Sequence, residues 1–202
     1  VLKDPEPEKG SDEYDYVMKY INDIEKLLKE GDAEAYRSYL NMESFVDWYL
    51  NSEFSMNMDA NFFLSVYMNL GEDGMLYMGP LWDFDIAFGN DVFDTNDNLI
   101  PEGFYIYNTD RSGLWMKVLR NDEEFLKILK ERYAAMRADK DNILAHIDDV
   151  AAAQRESAVL NDMKWNKLCK KGATREQILK AYDAEVQFLQ DWVEGRFAWR
   201  DE

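Results

Sequence analysis

Cysteine and histidine are nearly missing from this chain: Cys169 and His146 each stand alone among 202 residues. A single cysteine can form neither an internal disulfide nor a thiolate zinc cluster, and it leaves the redox compartment open. The single histidine lies in a helical pattern between Ala145 and Ile147, far from any nucleophile motif, and is read as structural. Ser–His–Asp, Cys–His and multi-histidine metal chemistry thus lose their main support. Apolar runs long enough to span a bilayer are absent, and no signal peptide precedes the first helix. The abrupt start at Val1 resembles that of a fragment or processed form, so the missing leader says little about secretion. Positive charge is scarce as well: 23 Lys and Arg face 41 Asp and Glu, a net charge of −18. Such a surface repels phosphate backbones and anionic lipid, which argues against nucleic-acid and membrane-surface roles, as the lack of a long apolar run argues against membrane insertion.

What is present suffices for a core. Hydrophobic residues make up 47% and aromatics 14%, enough for one domain or one lobe of a larger protein. Residues 1–12 are polar with two prolines and read as a linker into a domain covering 13–202. Apolar residues keep helical spacing from Tyr14 to Gly31, and a second helix is expected from Ala33 to Leu40. Asn41 is a candidate N-cap for a third, with Phe45, Trp48, Tyr49 and Ser52 on one side, running to about Phe54. Ser65–Leu70 and Met75–Met78 read as strands joined by a turn at Gly71-Glu72-Asp73-Gly74. Asp91–Asp110 has no period and reads as a long loop, read as a substrate lid or an exposed insertion. Leu114–Leu119, Asp122–Met136, Ile143 to about Trp165 and Thr174–Trp199 are helical, the last with a stripe of Ile178, Tyr182, Val186, Leu189, Trp192, Val193 and Phe197 facing a core. The class predicted is α+β, mostly helical, with one short β-hairpin carrying the site loops.

The chemistry concentrates after that hairpin. Gly79-Pro80-Leu81-Trp82-Asp83-Phe84-Asp85-Ile86-Ala87-Phe88-Gly89-Asn90 sets two carboxylates one residue apart among apolar residues and turn formers. The composition predicts a packed loop, in which carboxylates need a cation such as Mg²⁺. If the segment is extended, Asp83 and Asp85 point to the same side. Asp59 precedes the hairpin, which gives the order acid, hairpin, acid pair. Protein kinases use that order, one Asp positioning the accepting hydroxyl and another holding Mg²⁺ against the nucleotide phosphates. The spacing alone is equally satisfied by Asp59 capping a helix and Asp83 closing a turn.

The strings Glu53-Phe54-Ser55-Met56-Asn57-Met58-Asp59-Ala60, Ser65-Val66-Tyr67-Met68 and Met78 through Asn90 closely resemble the CotH family of bacterial spore-coat and secreted kinase-like proteins. Trp115 to Leu119, Asn121 to Phe125, Arg132, Lys164-Trp165, Tyr182 to Val186 and Arg196 to Trp199 look like the family's C-terminal region. The resemblance implies the C-terminal lobe of an atypical protein-kinase-like fold, transferring the γ-phosphoryl of ATP, with Mg²⁺ or Mn²⁺, to hydroxyl side chains of coat or secreted proteins. It implies a bacterial protein, secreted, at the cell surface or in the spore coat. Carried over by position, Asp59 resembles the catalytic-loop acid, Asn57 a residue fixing that loop, and Asp83 the metal-binding acid. Asp85 is then a second metal or water ligand, and Trp82 and Phe84 pack around the site.

Two departures qualify the kinase pattern. Five residues after Asp59, where a kinase has a metal-binding Asn, stands Leu64; Asn61 or the Ser65 hydroxyl is left to substitute. No Gly-rich loop and no strand lysine precede the acids, so the chain alone is expected to bind ATP poorly. A non-catalytic structural or interaction module is the competing reading. A metal-dependent hydrolase on the same acids ranks below both, since no histidine lies near them.

Overall fold

The computed structural model describes residues 6–60, 62, 64–90, 100–107 and 113–201. Along them run α1 (Asp12–Glu30), α2 (Ala33–Arg37), α3 (Met42–Phe54), β1 (Met68–Leu70), β2 (Leu76–Met78), α4 (Gly113–Leu119), α5 (Glu123–Ala138), α6 (Lys140–Trp165) and α7 (Arg175–Asp201). The class is α+β and mostly helical, as expected. Two units divide the chain: Val1–Glu53, Asp59–Asp83 and Ile106–Lys130 form one, and Phe54–Met58, Phe84–Tyr105 and Glu131–Glu202 the other. Of the long loop expected over 91–110, only Ile100 to Tyr107 fall among the described residues.

In the first unit, α1 starts where the Ser11 hydroxyl accepts from the Tyr14 N–H and stops at Gly31, whose φ of 72° is left-handed. The second helix is shorter than its sequence suggested. It ends at Arg37 because the backbone beyond it serves β2: the Leu76 N–H donates to the Tyr39 carbonyl at 2.7 Å, and the Asn41 N–H donates to the Leu76 carbonyl at 2.9 Å. Asn41 caps α3 as read, its Oδ1 accepting from the Ser44 N–H at 2.9 Å. The one-sided burial expected of α3 is corrected, since Val46, Leu50 and Glu53 are buried along with Phe45, Trp48, Tyr49 and Ser52. A helix apolar on most sides sits inside, not on, a core. Phe45 stacks on Trp115 at 6.1 Å, and Tyr49 meets Phe125 edge-on at 5.5 Å.

β1 and β2 pair antiparallel with Leu70 opposite Leu76 and Met68 opposite Met78. The hairpin is shorter than expected at its start, because Ser65 has a φ of 54° and is therefore not extended. Gly74, at φ 78°, supplies the turn.

Asp122 is the buried polar anchor of this unit. One carboxylate oxygen caps α5 by accepting from the Glu124 and Phe125 N–H groups at 2.9 and 3.0 Å. The other accepts from the Tyr36 hydroxyl and pairs with the Arg37 guanidinium at 2.8 Å. Burial pushes its pKa up, but the Arg37 and Tyr36 hydrogen bonds and the capping N–H outweigh that and hold it below the ordinary carboxylate range. With the folded pKa depressed, the folded state binds this proton less readily than the unfolded chain. The stabilisation is therefore present above the unfolded pKa, near 3.9 by reference, and is lost as pH falls through the folded value. Asp122→Asn is expected to lower neutral-pH stability and to flatten the acid limb of a denaturation curve below about pH 4. An unchanged acid limb would remove Asp122 from that role.

In the second unit α6 and α7 pack together. The α7 stripe is oriented as read: Ile178, Trp192, Val193 and Phe197 are buried, with Tyr182, Val186 and Leu189 half-buried. Trp192, Val193 and Phe197 join Phe54 and Met56 in one cluster. Gly89, at φ 84°, lets the chain pass close to α7; a Cβ there would lie 2.8 Å from both Phe188 and Trp192. Arg196 is also wholly buried on this stripe. Among the described residues no helix is long and apolar enough to cross a membrane.

Candidate functional site

The hairpin brings Ser65 and Asp83 together. Ser65 precedes β1 and Asp83 follows β2, and the Ser65 hydroxyl donates to Asp83 Oδ2 at 3.0 Å. The pleated pairing makes this contact possible, since Met68 and Met78 are cross-strand partners and the Gly79 N–H donates to the Tyr67 carbonyl at 3.0 Å. Both residues have left-handed backbones, Ser65 at φ 54° and Asp83 at φ 62°. Non-glycine residues occupy that region rarely, and such residues concentrate at functional sites.

Three expectations about this loop need correction. It is not a packed loop around buried acids: Asp83 and Asp85 are exposed, and Ile86 and Ala87 are the residues that turn inward. Nor is it extended at Asp83, whose positive φ breaks the alternation that would aim both acids the same way. Trp82 does not pack around the acids in the way expected; it is 57% exposed, with an edge-on contact to Tyr67 at 6.3 Å.

Asp59, in the same unit, is half-buried at the head of a turn that closes with the Leu64 N–H donating to its carbonyl at 3.3 Å. Asn61 lies outside the described residues. Leu64, at the position where a kinase has Asn, is exposed.

The second unit holds Asn57, Phe84 and Asp85. Asn57 is buried in Phe54–Met58, a segment fixed along its length. Its carbonyls at Phe54, Ser55 and Met58 accept from Arg196 Nε at 2.9 Å, the Phe88 N–H at 2.8 Å and the Tyr105 hydroxyl at 3.3 Å. Phe84 is half-buried, its ring 6.5 Å from that of Phe88. Sequence reading noted Arg196 only as part of a likeness and missed its clamp. The available signal was position: Arg196 follows Trp192 by four residues and Val193 by three, on the apolar stripe.

Oxygen donors dominate the candidates. Among the described residues no group of three or more His, Cys, Asp and Glu is placed to hold a metal. That donor set does not fit a closed zinc cage; it does fit Mg²⁺, which takes one or two carboxylates and completes its shell with water and phosphate. The hydroxyl on Asp83 Oδ2 restricts the carboxylate's rotation without exhausting its lone pairs.

No curated protein and no solved structure matches the chain. A family model does, the CotH kinase protein family, over residues 2–200. That match takes in nearly the whole chain, so the protein belongs to the CotH kinase family.

Proposed function

We propose that this chain carries the reacting acids of an ATP- and divalent-metal-dependent protein kinase, built as the C-terminal lobe of a divergent kinase fold entered through the linker 1–12. The observation that carries the reading is the Ser65–Asp83 hydrogen bond at 3.0 Å between two residues in left-handed backbones, within a kinase-family sequence. Asp83 would hold Mg²⁺ or Mn²⁺, and the metal when bound would neutralise charge on the nucleotide phosphates. Ser65 holds Asp83 in one orientation and Asn57 fixes the catalytic segment. Asp59 orients the acceptor hydroxyl and takes its proton. Phosphoryl transfer asks mainly for positioning and charge compensation, which these groups offer. The acceptors are hydroxyl side chains of coat or secreted proteins of a bacterial cell surface or spore.

The test is labelled-phosphate transfer from ATP by the full-length protein in the presence of Mg²⁺. Asp59→Asn removes the proton acceptor with little change of shape and is expected to slow transfer by about 10²–10⁴-fold. A rate equal to wild type would sink the role given to Asp59. A non-catalytic scaffold is favoured by Leu64, an exposed apolar residue where a metal-binding Asn belongs. Absence of metal-dependent transfer by the wild-type protein would select it.

A further inference from the structure

Between Met163 and Arg175 the charge of the chain reverses. This stretch holds Lys164, Lys167, Lys170, Lys171 and Arg175 and no acid, in a protein of net charge −18. It forms the end of α6, the connection to α7 and the first residue of α7. All five cationic residues are exposed. Among the described residues no acid pairs with Lys164, Lys167, Lys170 or Lys171, whereas Lys19, Lys26 and Lys29 on α1 each pair with an acid four residues away. The α1 lysines are thus neutralised within their own helix, whereas these four stand together without an acid among them.

The tip is apolar as well as basic. Leu160 is 68% exposed, Met163 64% and Trp165 57%, with Leu168 beside them in the connection. Leu160 and Met163, three apart on α6, share a face. The Lys164 ammonium lies over the Trp165 ring at 4.5 Å. Exposed large apolar side chains grouped this way mark interaction surfaces.

The connection is also held in shape. Asn166 ends α6 in a left-handed conformation at φ 50°. Buried Asp162 accepts from the Leu168 and Cys169 N–H groups at 2.6 and 3.3 Å. Thr174 and Gln177 cap α7 reciprocally, the Thr174 N–H donating to Gln177 Oε1 at 2.8 Å and the Gln177 N–H donating to Thr174 Oγ1 at 3.2 Å. Fixed backbone presents the lysines together, which lowers the ordering cost of binding. Beside Arg175 lies a groove of about 500 Å³ lined by Arg155, Glu176, Leu179, Lys180 and Asp183, in which Arg155 pairs with Asp183 and Arg175 with Glu156, so the unpaired positive charge of the tip lies on its lysines.

We propose that the α6–α7 tip is a docking surface for an acidic polypeptide segment carrying apolar side chains. Charge complementarity selects the partner: the four lysines without an acid partner call for carboxylates, Arg175 being paired with Glu156, and Leu160, Met163, Trp165 and Leu168 call for aliphatic or aromatic neighbours. A segment can touch the tip alone. An anionic lipid surface is broader than the Debye length of about 10 Å and would face the acidic remainder of the protein too.

The probe is a fluorescent copolymer of glutamate and tyrosine, titrated with the full chain at about 50 mM and 300 mM salt, where screening differs strongly. Binding is expected at low salt, with the combined Lys164→Glu, Lys167→Glu, Lys170→Glu and Lys171→Glu variant weakened by more than about tenfold. Lys26→Glu with Lys29→Glu should bind as wild type. Leu160→Ser with Met163→Ser should weaken binding to the copolymer while leaving polyglutamate binding unchanged, which isolates the apolar contribution. These positions are exposed, and unchanged helical circular dichroism verifies folding; a Lys→Gln set serves if the Glu set loses helix. Equal binding by the wild type and the quadruple variant overturns the proposal. So does tighter binding to phosphatidylserine vesicles than to the copolymer, or self-association of the chain that the quadruple variant abolishes, since these give the tip to lipid or to a second copy.

Discussion

Arg196→Ala is expected to lower stability by about 3–5 kcal/mol, the cost of orphaning buried carbonyl acceptors and opening a void where a large side chain was packed. The guanidinium is inaccessible to solvent, and its Nε donates to the Phe54 carbonyl at 2.9 Å. One terminal nitrogen donates to the carbonyls of Pro101 at 3.1 Å and Gly103 at 2.6 Å. Its plane also lies near the Trp199 ring, 4.9 Å from the centroid. Alanine leaves all three carbonyls without that donor and opens a void on the α7 stripe. Each orphaned buried acceptor costs about 1–3 kcal/mol, partly offset by entering water. For a chain of this length the midpoint should fall by roughly 10 °C. Arg196→Lys keeps the charge but loses the planar fork, and should fall between alanine and wild type. Calorimetric melting of the three proteins gives the ranking. A fall of less than about 3 °C for Arg196→Ala would show that water replaces the guanidinium without penalty.

How legible this clamp was in the sequence depends on what a pattern encodes. Helical period encodes a face, so the stripe from Ile178 to Phe197 and the limits of α1, α3, α6 and α7 could be read within a few residues. Period does not encode what an arginine on that face does. Arg196 looks like a surface charge until three carbonyls distant in sequence are brought to it by folding. Asp162 is similar, because the N–H groups of Leu168 and Cys169 meet it only once α6 has ended. The acid pair misled in the opposite direction. Apolar neighbours suggested burial, yet Ile86 and Ala87 take the inside and a left-handed turn at Asp83 sends the acids outward. Local composition records hydrophobicity; it does not record a single positive φ in a residue other than glycine. The α2 end failed for a third reason: Tyr39 and Asn41 give their backbone groups to Leu76, a competition between helix and strand that neither segment displays alone.

That positive φ decides how the metal role of Asp83 is best tested. Asp83→Ala changes two things at once, because alanine lacks the carboxylate and tolerates a φ of 62° less well than aspartate does. Asn tolerates the left-handed region as Asp does, and its carbonyl oxygen can still accept from the Ser65 hydroxyl, so Asp83→Asn removes charge alone. Asp83 is exposed, and the melting midpoint of Asp83→Asn should match wild type, surface substitutions of this kind staying within about 0.5 kcal/mol. Metal-dependent transfer by the full-length protein should nevertheless fall by roughly a thousandfold, the scale of losing a charge-compensating group in phosphoryl transfer. Ser65→Ala removes only the hydroxyl that orients the carboxylate. Its expected loss is about 10–100-fold, carried mainly by a higher Mg²⁺ requirement, as for other outer partners of metal ligands. Initial rates across a Mg²⁺ series separate the two: raising the metal concentration should recover Ser65→Ala and leave Asp83→Asn low. Asp83→Asn retaining more than about a tenth of the wild-type rate would leave the charge at this position without a role in transfer, and Ser65 would then serve only to close the base of the hairpin.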